Sequence, residues 1–271
     1  MPDIYTYDDD ETEEYFSQKV FDNFDTFIYP EYTEDAEATD YDYYDEYDYY
    51  VYDDYIMTDF DYKIVNKLWH YSGDEAADYG TDYPDTAYIT CHFPTIESDS
   101  LKCVSEINDI IIDTTTYMCD YYDVCKEYLE DDEFFYGKEY VYVTYMSEDV
   151  LSLAFEYECY FYKEDDEEAE PDFVFYTLKT ANFDLNDGSV IKMPKLSMDE
   201  NTFLDRFIKD VDEQNEVDLL GMAERDEIAE ALEKGDMQWF YNPLGVEFVY
   251  VFPGGYGYLS CTEDPDEVFA K

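Results

Sequence analysis

The chain has 271 residues, of which 72 are acidic and 15 basic, for a formal net charge of −57 at pH 7. Nucleic-acid binding needs a basic footprint that displaces counterions, and anionic membrane surfaces repel such a chain, so neither is an expected partner. Apolar residues nevertheless make up 46% of the sequence and aromatics 20%, which is enough material for a folded core.

Residues 1–82 read as an acidic, low-complexity segment or linker. Tyr41 to Tyr55 runs YDYYDEYDYYVYDDY, where like charges repel and extend the chain and few aliphatic residues oppose them. A solvated spacer is the plain expectation, with a cation-collecting tail or a tyrosine-sulfation substrate as sharper alternatives. Tyr62 to Trp69 (YKIVNKLW) is expected to dock as a short element on the folded part. The start, Met1 to Asp8, has neither a basic nor an apolar run, so no signal peptide is read there. No run of about 18 apolar residues marks a membrane helix.

From about Tyr83 the pattern becomes globular, and residues 83–271 are expected to form one α+β domain with halves at 83–170 and 171–271. Tyr88 to Phe93 reads as a strand ending at Pro94. Ser98, Asp99 and Ser100 offer capping oxygens for one long helix, whose apolar face is Leu101, Val104, Ile107, Ile111, Met118, Tyr122, Cys125 and Leu129. Lys138 to Tyr145 and Val150 to Phe161 alternate as paired strands around a turn at Ser147 to Asp149. The acid run Glu164 to Glu170 is an expected loop. Phe173 to Leu185 is another strand, closed by the turn Asn186-Asp187-Gly188.

Asp199 can cap a helix carrying Phe203, Leu204, Phe207, Ile208 and Val211, and Asp226 to Lys234 a shorter helix before Gly235. Met237 to Tyr241 and Val246 to Phe252 flank the turn Asn242-Pro243-Leu244-Gly245, and Tyr256 to Thr262 is the last strand. The fold class is therefore α+β: antiparallel sheet packed on one long and two or three shorter helices.

The residues offer little for catalysis or cofactors. His70 and His92 stand alone, and the six cysteines contain no CxxC pair; they read as small buried hydrophobes or as one or two disulfides. Asp184-Leu185-Asn186-Asp187-Gly188 fails as a calcium loop because an EF-hand requires glycine at position six and glutamate at twelve; Lys195 stands at twelve. Ser152 lies inside a strand with no basic neighbour. No catalytic residue, metal ligand or cofactor is assigned.

The order of the later segments carries a family likeness. CHFPTIESDSLKCVSEIN at Cys91 to Asn108 is followed by VLSLAFEY at Val150 to Tyr157. TANFDLNDGSVIKMPKL at Thr180 to Leu196 comes next, then WFYNPLGVEFVYVFPGG at Trp239 to Gly255. This series resembles the extracytoplasmic domain of RsiV-type anti-sigma factors, related domains of which are appended to some peptidoglycan deacetylases. The resemblance implies a non-catalytic binding or sensor domain, extracellular or at the cell surface. Its implied partner is a cationic protein such as a lysozyme, which the acidity would attract. The competing expectation is a cytoplasmic polyanion, such as a DNA mimic.

Recognition surfaces usually sit on loops held by a rigid scaffold. The turn Phe252-Pro253-Gly254-Gly255-Tyr256 combines a rigid proline, glycines that allow close backbone approach and two aromatics able to anchor a partner. These five residues are the expected partner-binding site, against the plain alternative of a tight turn whose aromatics pack inward.

Overall fold

The computed structural model describes residues 48–57, 60–72, 87–126, 129, 133–163 and 174–271. A six-stranded sheet runs in sequence order through β1 (Asp48–Met57), β2 (Lys63–Ser72), β3 (Ala87–Glu97), β4 (Glu133–Met146), β5 (Val150–Lys163) and β6 (Val174–Asp184). A second sheet has β7 (Gln238–Asn242), β8 (Gly245–Val251) and β9 (Tyr258–Glu263). The fold is α+β, as expected. All pairings are antiparallel except β3 with β4. That parallel step follows from the connection, because a chain crossing through helices returns in the direction it left.

The crossover is α1 (Val104–Thr115) and α2 (Tyr117–Cys125). One long helix was expected there. It breaks at Thr116, whose φ of −86° and ψ of 1° leave the helical region, after the run Thr114-Thr115-Thr116. Threonine hydroxyls bonded back to Ile110, Ile112 and Asp113 carbonyls compete with the helical ladder at this point. Nor do the serines cap α1. Ser98 Oγ accepts from the Ser100 and Leu101 amides at 3.1 Å each, which closes a separate turn ahead of the helix.

Two expected boundaries move. The sheet reaches back across residue 82, so β1 and β2 join the domain; Tyr41 to Tyr47 and the acid run Glu164 to Glu170 lie outside the described residues. Tyr62, Ile64 and Val65 are buried, and the Tyr62 hydroxyl donates to the Ser147 carbonyl at 2.8 Å. The strand β3 needs a partner on its far side, and β2 supplies it along its whole length from Lys63 to Ser72. Pro94, expected to end the strand, lies within it: the β4 pairing stops at His92, so its missing amide costs no bond on that side.

The break between halves falls after β6 rather than at residue 171. A first core, from Tyr62 to Leu185, packs α1 and α2 on one face of the large sheet. A second gathers Phe203, Phe207, Val211, Ile228, Trp239, Phe248 and Phe269 around the small sheet. Ala154 and Leu178 on the other face of the large sheet meet Phe240, Val249 and Tyr258. Covered on both sides, β5 is buried at every residue from Leu151 to Tyr157.

The remaining helices are α3 (Glu200–Asn215), α4 (Leu219–Met222), α5 (Arg225–Lys234) and α6 (Pro265–Val268). Asp199 caps α3 through the Thr202 amide at 3.1 Å, and Gly235 ends α5 at a φ of 76°. Arg206 on α3 binds Glu263 on β9 and Glu267 on α6, which ties the C-terminal elements together. Among the described residues, no helix is long and apolar enough to cross a membrane.

Candidate functional site

The expected site, the turn between β8 and β9, is built into the junction between the two sheets. Phe252 ends the run of β8 and turns inward: it is 8% exposed and meets Tyr250 edge-on at 5.3 Å. Its amide donates to the Gly257 carbonyl at 2.9 Å and closes the turn. Beyond it the chain clasps β6. The Tyr176 amide donates to the Gly255 carbonyl at 2.7 Å, and the Gly257 amide to the Tyr176 carbonyl at 2.8 Å. Gly255 has a φ of 82° and lies so close to Phe175 that an added Cβ would stand 1.9 Å from the ring. Only glycine fits there, because the conformation is left-handed and the space is taken.

Of the five residues of the expected site, Phe252 and Gly255 are buried in the joint, as in the alternative of an inward-packed turn. Pro253, Gly254 and Tyr256 face outward, with Tyr256 65% exposed on a turn bonded on both sides of Tyr176.

Beneath the turn lies a polar cluster. The Tyr176 hydroxyl donates to Glu156 Oε1 at 2.7 Å and lies 3.2 Å from the Tyr258 hydroxyl, and the two rings stack at 5.3 Å. Glu156 is buried, and its Oε2 has no hydrogen-bond partner among the described residues. Burial raises its acid to about 8, against the opposing hydrogen bond from Tyr176.

Register extends this surface across the sheet. Glu156 pairs with Tyr140, which pairs across β5 while His92 on β3 faces Tyr140 from the other side; Tyr160, Tyr136 and Tyr88 line up in the same way. The rings stack on one another, Tyr88 on Tyr136 at 5.6 Å and Tyr136 on Tyr160 at 4.8 Å. Such cross-strand stacks stabilise the sheet. His92 stacks on Tyr140 at 5.9 Å on this face, while Cys91 points to the helices, as strand alternation requires. The His70 side chain lies outside the described ones.

On the helix face, Glu139 is wholly buried with neither carboxyl oxygen hydrogen-bonded among the described residues. Desolvation pushes its acid well up, opposed by Lys179 and by the neighbouring Cys91 thiol, a weak donor. Burial lowers the Lys179 ammonium, which sits 3.4 Å from the centroid of the Tyr117 ring. Burial likewise raises the Cys91 and Cys159 thiols, so both are poor nucleophiles.

At Asp184 to Gly188 the carboxylates are occupied by the turn itself: Asp184 Oδ1 accepts from the Asn186 amide at 2.8 Å and Asp187 Oδ1 from the Ser189 amide at 2.9 Å. Ser152 is buried within β5. The Glu156, Tyr176 and Tyr258 cluster escaped the sequence reading. Its only trace there is a carboxylate at Glu156 inside the mostly apolar run VLSLAFEY.

No protein-family model matches the sequence, and no curated protein matches it. Among solved structures, the chain is similar to a DUF3298 family member from Bacteroides fragilis. The identity is 12% and the TM-score 0.48, over 76% of this chain and 91% of that one. It is also similar to a DUF3298 family protein from Pseudomonas aeruginosa at 9% identity and a TM-score of 0.42, over 76% and 94% of the two chains. Both of these solved structures are DUF3298 family proteins.

Proposed function

We propose that the chain is a non-catalytic binding domain, working outside the cytoplasm, whose partner is a cationic protein of the lysozyme kind. One observation carries the reading: Tyr256 stands 65% exposed on a turn whose backbone is bonded to β6 on both of its sides. An aromatic anchor held this way loses little conformational entropy on binding. The formal charge of −57 supplies long-range attraction for a basic partner. The segment order described above supports the extracytoplasmic placement.

The test is titration with lysozymes of several types at about 0.15 M salt, where the Debye length is about 8 Å and diffuse attraction is screened. Saturable one-to-one binding at that salt supports the reading. Binding that disappears with salt, and that any unrelated basic protein reproduces, leaves only a polyanion.

A further inference from the structure

Strand β6 is where the two halves meet, and its contact with β9 is polar at one place. Glu156 on β5, Tyr176 on β6 and Tyr258 on β9 form a chain of hydroxyls ending on a buried carboxyl with one oxygen unpartnered among the described residues. Among the described residues, every group facing it is neutral or acidic. Tyr140 and Tyr142 come from β4, with the Tyr142 hydroxyl turned toward the carboxyl. Glu158 lies two residues along β5 on the same face, and Glu247 on β8 bears on Tyr258. Lys138 is the register partner of Glu158, not of Glu156. Among the described residues a carboxylate here faces no counter-charge and has only the Tyr176 and Tyr142 hydroxyls as donors, whereas the neutral acid is accommodated.

We infer that Glu156, Tyr176 and Tyr258 form a proton-operated latch. With the carboxyl protonated the two sheets close on each other, and loss of the proton releases the Tyr256 turn from β6. The backbone bonds that the latch guards are the Tyr176 amide to Gly255 and the Gly257 amide to Tyr176. The inference holds whatever the turn binds.

The sign follows from linkage. Burial lifts the closed-state acid to about 8, while a carboxyl in an opened seam returns to about 4.3. Closure is therefore fully favoured below the ordinary carboxyl range and weakens by up to about tenfold per pH unit as pH rises, levelling off above about 8.

Native-state hydrogen exchange of the Tyr176 and Gly257 amides tests this in the full chain. Rates in wild type are divided by those in Glu156→Gln at the same pH, so that intrinsic exchange cancels. The ratio should climb by up to about tenfold per unit between pH 6 and 8 and then flatten, while amides of the β8–β9 ladder keep a ratio near one. A ratio independent of pH overturns the latch, as does an equal rise in the β8–β9 amides. Should Glu156→Gln fail to fold, Glu158→Gln serves: removing the like charge must move the levelling point to higher stability of the carboxylate, hence lower pH. An unmoved levelling point refutes the inference.

Discussion

The Asn182 side-chain amide on β6 donates to the backbone carbonyl of Trp239 on β7 at 2.9 Å, so a buried polar contact crosses between the two sheets. Thr180 Oγ1 reaches the same carbonyl at 2.9 Å and also takes the Trp239 amide at 3.2 Å. Either residue alone leaves the carbonyl one partner. Asn182→Ala is therefore expected to cost about 1–2 kcal/mol, and Asn182→Ala with Thr180→Val more than the sum. Chemical denaturation of the double-mutant cycle measures the coupling, and strict additivity would show that the two contacts act independently.

Acid should stabilise this protein. Glu139 and Glu247 are buried and desolvation raises both acids above their ordinary value. A raised folded-state pKa means that stability is full below the unfolded carboxyl value and is lost as pH rises through the folded one. The Tm is expected to be higher at pH 5 than at pH 8, and Glu139→Gln to flatten that slope. A Tm that increases from pH 5 to 8 would contradict the buried, protonated state of Glu139.

Much of the C-terminal half was legible in the sequence because local signals there agree with packing. Asp199, the apolar stripe of α3, Gly235 and the turn at Asn242 to Gly245 each sit where residue chemistry alone puts them. The N-terminal side was less legible. Charge density at Tyr41 to Tyr55 argues against order, and Tyr62 to Trp69 only for a short docking element; that both β1 and β2 pair in the sheet is a backbone property that side-chain charge does not reveal. For Phe252 the sequence leaves two readings, an anchor for a partner or an aromatic packed inward; the inward one holds, because the turn is itself bonded to β6. The buried Glu139 and Glu156 were hidden because the large sheet is covered on both faces near β5, which removes the alternation that marks an inward position.

Two glycines with similar backbone angles should respond differently to alanine. Gly235 has a φ of 76° with nothing within 4 Å of an added Cβ, while Gly255 has a φ of 82° and Phe175 in the way. Gly235→Ala should cost about 1 kcal/mol, the left-handed penalty alone. Gly255→Ala should cost about 2 kcal/mol or more, since the Phe175 ring must move as well. Equal losses in denaturant melts would mean that the turn does not press on Phe175.

Thiol labelling should follow burial. Cys91, Cys103, Cys159 and Cys261 are buried, whereas Cys119 and Cys125 are partly exposed. Burial pushes the Cys119 thiol up to about 12, so even the accessible groups react slowly at neutral pH. In native protein, Cys119 and Cys125 are expected to label first and the four buried thiols only on unfolding. Rapid labelling of Cys91 would show that α1 and α2 open readily from the sheet.

The most direct test of the binding account compares wild type with Tyr256→Ala by calorimetric titration against lysozyme at about 0.15 M salt. Tyr256 is 65% exposed, so the variant should keep the wild-type Tm. If Tyr256 is the anchor, its loss should weaken affinity by about 2 kcal/mol, roughly thirtyfold. Unchanged affinity in a folded Tyr256→Ala variant would contradict the account.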